Sequence, residues 1–245
     1  MNDIISLLQS HRSIRRFSEK NVPQKTVETL VQAGQAAATS SFIQACTVIQ
    51  IAPGEKRNKL AELAGNQPYV ANAPVFLVFC ADMHRHQLAC EMHGETMQSG
   101  YTEQFLTASV DTALFAQNLV IAAESLGLGS CYIGGIRNEI EQVTNLLALP
   151  ELVYPVFGLC LGYPDQNHEI KPRLPLSIVL KQESYDAPND VAELAVYDQQ
   201  IQRYYQTRSA GQKTTNWTAQ IATMLQKEAR PHMLPFLKQQ GFIIK

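Results

Sequence analysis

Residues 102–135 read TEQFLTASVDTALFAQNLVIAAESLGLGSCYIGG, and this stretch decides the class of fold. From Thr102 onward, apolar side chains fall on nearly every side of a helix extending to Leu126: Phe105, Leu106, Val110, Leu114, Phe115, Leu119, Val120 and Ile121. A helix of that kind is buried all round, or buried in a subunit interface. Gly127 and Gly129 stop it. A strand over residues 130–133 follows, and a glycine pair, Gly134-Gly135, closes the stretch.

Outward from there, residues 47–52, 75–80 and 153–161 are rich in Val, Ile and Phe and read as strands. Residues 177–180 read as a further short strand after a proline-punctuated loop. Helices are expected over residues 3–10, from Pro23 to about 38, over 56–64, and from Asn138, whose spacing to Glu141 resembles a capping box. The βα units lack the regular spacing of a doubly wound sheet, so the class is α+β layers. A single domain is expected, with a core over residues 1–180, a linker near 181–190 and a helical C-terminal arm over 191–245. Helices are read there at about 191–206, 217–230 and 233–240. The arm has too few apolar residues for a core of its own, so it should wrap onto the main body or onto a second copy.

The 245 residues carry 20 Lys+Arg against 22 Asp+Glu. That balance gives no electrostatic reason to expect nucleic acid as a partner, and makes any local cluster of cations informative. With 45% hydrophobic and 17% charged residues, the chain is neither disordered nor collagen-like. The longest apolar run, residues 73–81, is too short to cross a bilayer. The N-terminal residues lack the apolar block of a secretory signal. Cys46, Cys80, Cys90, Cys131 and Cys160 are odd in number and include no C-x-x-C. Free thiols in a reducing, cytoplasmic compartment are the expectation, and the sequon Asn216-Trp217-Thr218 then carries no meaning.

No phosphate-binding G-x-x-x-x-G-K-[ST] loop occurs, and Tyr132 breaks the G-x-G-x-x-G spacing that Gly127-Leu128-Gly129 begins. Neither a G-x-S-x-G elbow nor an H-E-x-x-H helix is present. His84, His86, Cys90 and His93 are ligand types, but their spacing fits no recurring zinc pattern, so a solvated loop is the reading and no metal is expected.

Three short segments concentrate anion-binding chemistry. His11-Arg12-Ser13-Ile14-Arg15-Arg16 follows the first helix, Thr39-Ser40-Ser41 places hydroxyls in a row at a helix end, and Lys171-Pro172-Arg173-Leu174-Pro175 sets two cations in a stiffened loop. Arginine suits a phosphate ester through forked, charge-assisted hydrogen bonds. Between them, Tyr132-Ile133-Gly134-Gly135 lets a backbone N–H approach a flat ring closely. Singly, each segment reads more readily as an ordinary solvated turn; together they suggest a phosphorylated aromatic cofactor.

These residues resemble the flavin-dependent nitroreductase superfamily, nearly end to end. The resemblance rests on His11-Arg12-Ser13-Ile14-Arg15, Ser40-Ser41-Phe42-Ile43-Gln44, Gly65-Asn66-Gln67, Ala122-Ala123-Glu124-Ser125-Leu126-Gly127, Tyr132-Ile133-Gly134-Gly135, Lys171-Pro172-Arg173-Leu174-Pro175 and Arg230-Pro231. Residues 91–100 form a longer segment than the family pattern has.

The resemblance implies a nitroreductase-like α+β fold, a mainly antiparallel sheet flanked by helices with a helical C-terminal arm, in an interlocked homodimer with FMN at the subunit interface. Arg12, Ser13 and Arg173 would hold the phosphate with help from Thr39 and Ser41, and His11 would lie in the same cradle. Arg15 and Lys171 would face the pyrimidine edge, Gln67 the polar rim, and an N–H of Gly134 or Gly135 the N5 atom, with Tyr132 and Ile133 beside it. Chemistry would be a two-electron, ping-pong hydride transfer from NADPH to nitroaromatics, quinones or free flavin, with no protein nucleophile. A role as flavin reductase supplying reduced FMN is the alternative, and a non-catalytic flavin carrier a more distant one. Tyr204-Tyr205-Gln206-Thr207-Arg208 matches the family segment that meets the 2′-phosphate of NADPH. Arg208 is expected there with Lys213 assisting, and Gly211 loosening the chain.

Overall fold

One antiparallel sheet organises the larger part of the chain in the computed structural model, which describes residues 2–208, 212 and 214–245. Its strands are β1 (Cys46–Gln50), β2 (Val75–Asp82), β3 (Gly129–Ile133) and β4 (Val153–Gly162), in the order β1-β2-β4-β3. Each pairing is antiparallel, with one register shift between Phe79 and Cys80 of β2. Helices alternate with these strands: α1 (Asp3–Gln9), α2 (Gln24–Gln35), α3 (Glu55–Leu63), α4 (Pro68–Asn72), α5 (His84–Met92), α6 (Thr102–Ser125) and α7 (Ile140–Leu146). Then come α8 (Leu176–Val179), α9 (Asp190–Arg208), α10 (Trp217–Met224) and α11 (Met233–Gln239).

The sequence of β2, VFLVFCAD, shows no polar alternation because both of its faces are covered. Successive side chains of a strand point to opposite faces. Val75, Leu77 and Phe79 accordingly pack with Leu30 of α2 and Ala116, Leu119 and Val120 of α6. Phe76, Val78 and Cys80 pack instead with Leu60 and Ala61 of α3, Val70 of α4 and Val143 of α7. Each leucine so buried contributes roughly 1.5–3 kcal/mol. The two helices on the first face cross closely because Gly34 has no side chain: a Cβ there would come within 2.3 Å of the Phe115 ring.

Helix α6 is not buried all round. Ala108, Thr112, Ala116, Leu119 and Ala123 are covered, while Leu106, Val110 and Leu114, four residues apart, lie exposed along another face. By length and composition α6 also matches a membrane span, yet its covered face is part of the packed core.

Two compact units emerge: residues 1–166 with 230–245, and residues 167–229. The break differs from the one expected from sequence. Residues 181–190 fall within the second unit, where Lys181 and Asp190 form an ion pair at 2.6 Å, and α11 belongs to the first. The second unit also has a small core after all. Tyr197, Ile201, Tyr204 and Tyr205 of α9 are buried with Leu174 and Trp217 packed against them. Tyrosines supply apolar area that a count of aliphatic residues overlooks.

Three local expectations are corrected. Residues 177–180 are not a strand, since Pro175 leads into the single helical turn of α8. Residues around His84, His86 and Cys90 are helix α5, not a solvated loop, and His86 Nε2 lies 2.5 Å from the Ile43 carbonyl oxygen. Asn138 does not cap α7, which begins after Glu139 without a side-chain cap; its Oδ1 accepts from the Arg230 guanidinium at 2.9 and 3.1 Å. The sequon residue Asn216 is plainly structural, because its Oδ1 accepts from the Ala219 N–H at 3.0 Å and caps α10.

Candidate functional site

The segment after α1 is fastened to the sheet by its backbone. Ser13 pairs with Ser130 in a parallel bridge, and the Ile14 N–H donates to the Ser130 carbonyl at 2.8 Å. Ile14 is 3% exposed and lies over Gly129, where a Cβ would come within 2.5 Å of its side chain. Farther on, the Arg16 N–H donates to Gln166 at 3.1 Å and the Ser18 N–H to the Tyr163 carbonyl at 2.9 Å. Burying Ile14 and zipping its flanks turns the neighbouring side chains outward. Arg16 is committed to Asp165, whereas Arg12 and Arg15 are exposed and donate no hydrogen bond among the described residues.

Arg15 reaches across to α4, its guanidinium 5.9 Å from the Tyr69 ring centre. It also lies near Cys131, whose thiol is pushed up by burial and drawn back by Arg15 and a Ser13 hydrogen bond. Gln67 stands at the start of α4 and donates from Nε2 to the Ala64 carbonyl at 2.6 Å. Buried Arg57 of α3 steadies that helix, donating to the Val70 carbonyl at 2.8 Å and to the Ala73 carbonyl.

Beyond β3, the glycine pair divides its labour. A Cβ on Gly135 would come within 2.2 Å of the Ala64 oxygen and 2.6 Å of Gln67 Nε2, so that residue is glycine for packing. At Gly134 the nearest atom to such a Cβ is 3.5 Å away, which leaves its backbone approachable. Tyr132 and Ile133 immediately before them differ in burial, Ile133 being enclosed and Tyr132 turned out against Phe157 in an edge contact at 5.1 Å. Thus His11 to Arg15, Gln67 and Tyr132 to Gly135 meet around the end of β3.

The hydroxyl run lies elsewhere on this unit. Buried Asp111 of α6 accepts from the Ser40 N–H at 3.1 Å and the Ala45 N–H at 3.3 Å, clamping the loop between them. Arg85 of α5 donates to the Gln44 carbonyl at 3.1 Å and the Thr47 hydroxyl at 2.7 Å from the other side. Within this clamp Ser41, Phe42 and Gln44 hold φ values of 48, 58 and 54°, a left-handed region that such residues occupy at a cost. Phe42 is 80% exposed at the crest. A cavity of about 320 Å³ beside the loop is lined by Thr39, Gln44, Arg85, Asp111 and Phe115. No hydrogen bond or ion pair joins Thr39 or Ser41 to residues 11–15 among the described residues; Asp111 is six positions before Gln117 on α6, about 9 Å along the axis.

In the second unit, the loop bearing Lys171 and Arg173 rests on tyrosines of α9. Lys171 Nζ donates to the Tyr205 hydroxyl at 2.9 Å, the Tyr197 hydroxyl donates to the Pro172 carbonyl at 3.0 Å, and Leu174 packs on the tyrosine cluster. Arg173 is exposed. Arg208, the last residue of α9, donates to the Tyr204 hydroxyl at 3.1 Å. Lys213 and Gly211 lie outside the described residues.

Sequence reading gave no role to two residues beside His11. The Glu124 carboxylate of α6 lies against His11 Nδ1, and Gln117 Nε2 lies 3.2 Å from His11 Nε2. Their separation of seven positions places both polar groups on one face of a largely apolar helix. That spacing was the available clue.

An α+β unit whose sheet is covered by helices on both faces, with an arginine segment stitched to its third strand and a glycine pair at the end of that strand, defines a flavoprotein-like class of oxidoreductase fold. The chain belongs to the nitroreductase family: the model described as "Nitroreductase family" matches residues 8–163, and "Nitroreductase family, C-terminal domain" matches residues 171–245. It is 45% identical over 242 residues to an oxygen-insensitive NADPH nitroreductase of Salmonella typhimurium, with 99% of each chain covered. An NADPH-flavin oxidoreductase of Vibrio harveyi is 44% identical over 241 residues, covering 98% of both. The solved structure of the Vibrio harveyi NADPH:FMN oxidoreductase complexed with NAD+ superimposes with a TM-score of 0.91 at 41% identity, over 100% of both chains.

Proposed function

We propose that this chain is an NADPH-dependent FMN oxidoreductase that reduces nitroaromatics, quinones and free flavins, working as a homodimer in the cytoplasm. The observation that carries the reading is the stitching of residues 13–14 to Ser130, which leaves Arg12 and Arg15 exposed on a segment bonded to the strand that ends at the approachable backbone of Gly134. The relatives, a nitroreductase and a flavin oxidoreductase, match it across the whole chain. When bound, FMN supplies the two-electron hydride chemistry linking nicotinamide and acceptor.

The residues present fit that group. Exposed guanidinia at Arg12, Arg15 and Arg173 suit a phosphate and an electron-rich ring edge, and Gly134 offers a backbone without a Cβ. Arg12, Ser13 and Arg173 hold the phosphate, with Thr39 and Ser41 adding hydroxyls and His11 in the same cradle. Arg15 and Lys171 favour added negative charge at the pyrimidine edge. Gln67 spends its Nε2 on Ala64, which keeps its Oε1 for a ring N–H. Tyr132, Ile133, Gly134 and Gly135 set the backbone against the ring. No side chain acts as nucleophile. Arg208, with Lys213, reads the 2′-phosphate of NADPH.

The separation of the hydroxyl run from residues 11–15, and the exposed stripe Leu106, Val110 and Leu114, both suit a cradle completed by a second copy. A role as flavin reductase supplying reduced FMN is the second reading; the Vibrio harveyi relative bears the name NADPH-flavin oxidoreductase, which supports the flavin as an acceptor. A visible spectrum followed by anaerobic NADPH titration tests the proposal. Bound FMN bleached stoichiometrically is expected; colourless protein, or a flavin that NADPH leaves oxidised, overturns it.

A further inference from the structure

The polar groups around His11 form a chain from Glu124 through His11 and Gln117 to Tyr132. The Tyr132 hydroxyl donates to Gln117 Oε1 at 3.3 Å, since a carbonyl oxygen only accepts. The Gln117 amide nitrogen then faces His11 Nε2 at 3.2 Å and must donate to it. With the amide so placed, His11 Nε2 is the acceptor and its proton sits on Nδ1, the nitrogen that lies against the Glu124 carboxylate. The Glu124 side chain is 13% exposed and that of His11 25%. The chain crosses from α6 through residue 11 to β3, all within the first unit.

We infer that Gln117 is a positioning residue that passes the protonation state of His11 to Tyr132, the side chain two residues before Gly134. Protonating His11 puts a second N–H against the Gln117 NH2. Two donors cannot share that contact, so the amide turns over and presents Oε1 to the imidazolium. Tyr132 then meets an NH2 group and must accept where it had donated. The proton enters at His11 Nε2 from solvent and no bond other than hydrogen bonds breaks.

The charged and titratable groups facing His11 are Glu124 from α6, Arg12 next along the chain, and Tyr132 from β3 through Gln117. Burial raises the Glu124 carboxyl, while His11 and Arg12 pull it back. Burial and Glu124 raise the Tyr132 phenol, which therefore stays protonated. Only its relevance to FMN rests on the proposed cofactor reading; the coupling itself does not.

Histidine-ring 15N and tyrosine-ring 13C spectra of the full protein across the imidazole titration range test it. In the wild type, His11 is expected as the Nδ1–H tautomer at high pH, with Tyr132 shifts titrating at the same midpoint as His11. In Gln117→Leu, His11 should titrate beside Glu124 while Tyr132 no longer follows. Glu124→Gln should redistribute the tautomer. Tyr132 shifts that ignore His11 in the wild type, that follow it equally in Gln117→Leu, or an Nε2–H tautomer at high pH overturn the inference. FMN fluorescence quenching across the same pH range tests the cradle separately: an FMN affinity indifferent to His11 titration counts against His11 in the cradle and leaves the coupling intact.

Discussion

Residues 11–16 and residues 171–175 both present cations, but they are held by different means. The first is fastened through backbone hydrogen bonds to Ser130 and Gln166 with Ile14 sunk beneath it. The second hangs on side chains, with hydroxyls of Tyr197 and Tyr205 meeting Pro172 and Lys171. Backbone stitching fixes the path of every residue in the segment, so its arginines start from a defined position. Tyrosine hydroxyls hold single points and leave the intervening chain to adjust. One segment is part of the sheet's core and the other is a fitting mounted on a helix.

This contrast breaks most readily at Ile14. Truncation by Ile14→Ala removes the buried anchor and should cost about 2–5 kcal/mol of stability, together with retention of FMN. Urea denaturation and dialysis followed by absorbance check both; a wild-type midpoint with FMN retained would show the stitching to be incidental. Arg173→Ala should leave the urea midpoint unchanged while weakening FMN by about ten- to a hundredfold, from a charge-assisted bond of roughly 1.5–3 kcal/mol. A fluorescence-quenching titration measures it. Comparable in size but confined to the co-substrate, Arg208→Ala should raise KM for NADPH about ten- to a hundredfold and leave KM for NADH alone. An equal rise for both nucleotides would mean that Arg208 serves α9 through Tyr204 instead.

The smallest effect concerns Glu124. Its carboxyl is raised in the folded chain by burial, so the native state holds a proton that the unfolded chain has already lost. Its contribution is complete below the unfolded carboxylate value and is lost as pH rises through the raised folded value. Glu124→Gln should flatten that decline, measured as urea midpoints at closely spaced pH. Parallel wild-type and variant profiles would remove Glu124 from the pH response.

Much of the fold was legible because its signals are local. Strand β2 declares itself by eight residues without alternation, and α6 by its apolar density. The segments that meet along β3 stand out too, through residue types in short runs. Helix α5 was missed because none of its residues is buried and it has no apolar stripe. Ser177 to Leu180 read as a strand on Ile178 and Val179, but a proline ahead of them set a helical turn. Asn138 looked like a cap by its spacing, yet its partner Arg230 is 92 residues away. The roles of Gln117 and Glu124 depend on where His11 lands, more than a hundred residues earlier in the chain, and no local pattern encodes that meeting.

The clamped loop around Phe42 bears on how this enzyme can be altered by laboratory evolution. With Phe42 so exposed, a library aimed at new acceptors would naturally randomise that position. Its backbone, at φ 58° between Ser41 and Gln44 of the same hand, filters that library before any substrate is offered. Valine, isoleucine and threonine fit a left-handed backbone worst, whereas glycine and asparagine relieve it. The accessible repertoire is therefore skewed toward small and unbranched side chains, and a designer wanting a branched wall there must first rebuild the Asp111 and Arg85 clamps.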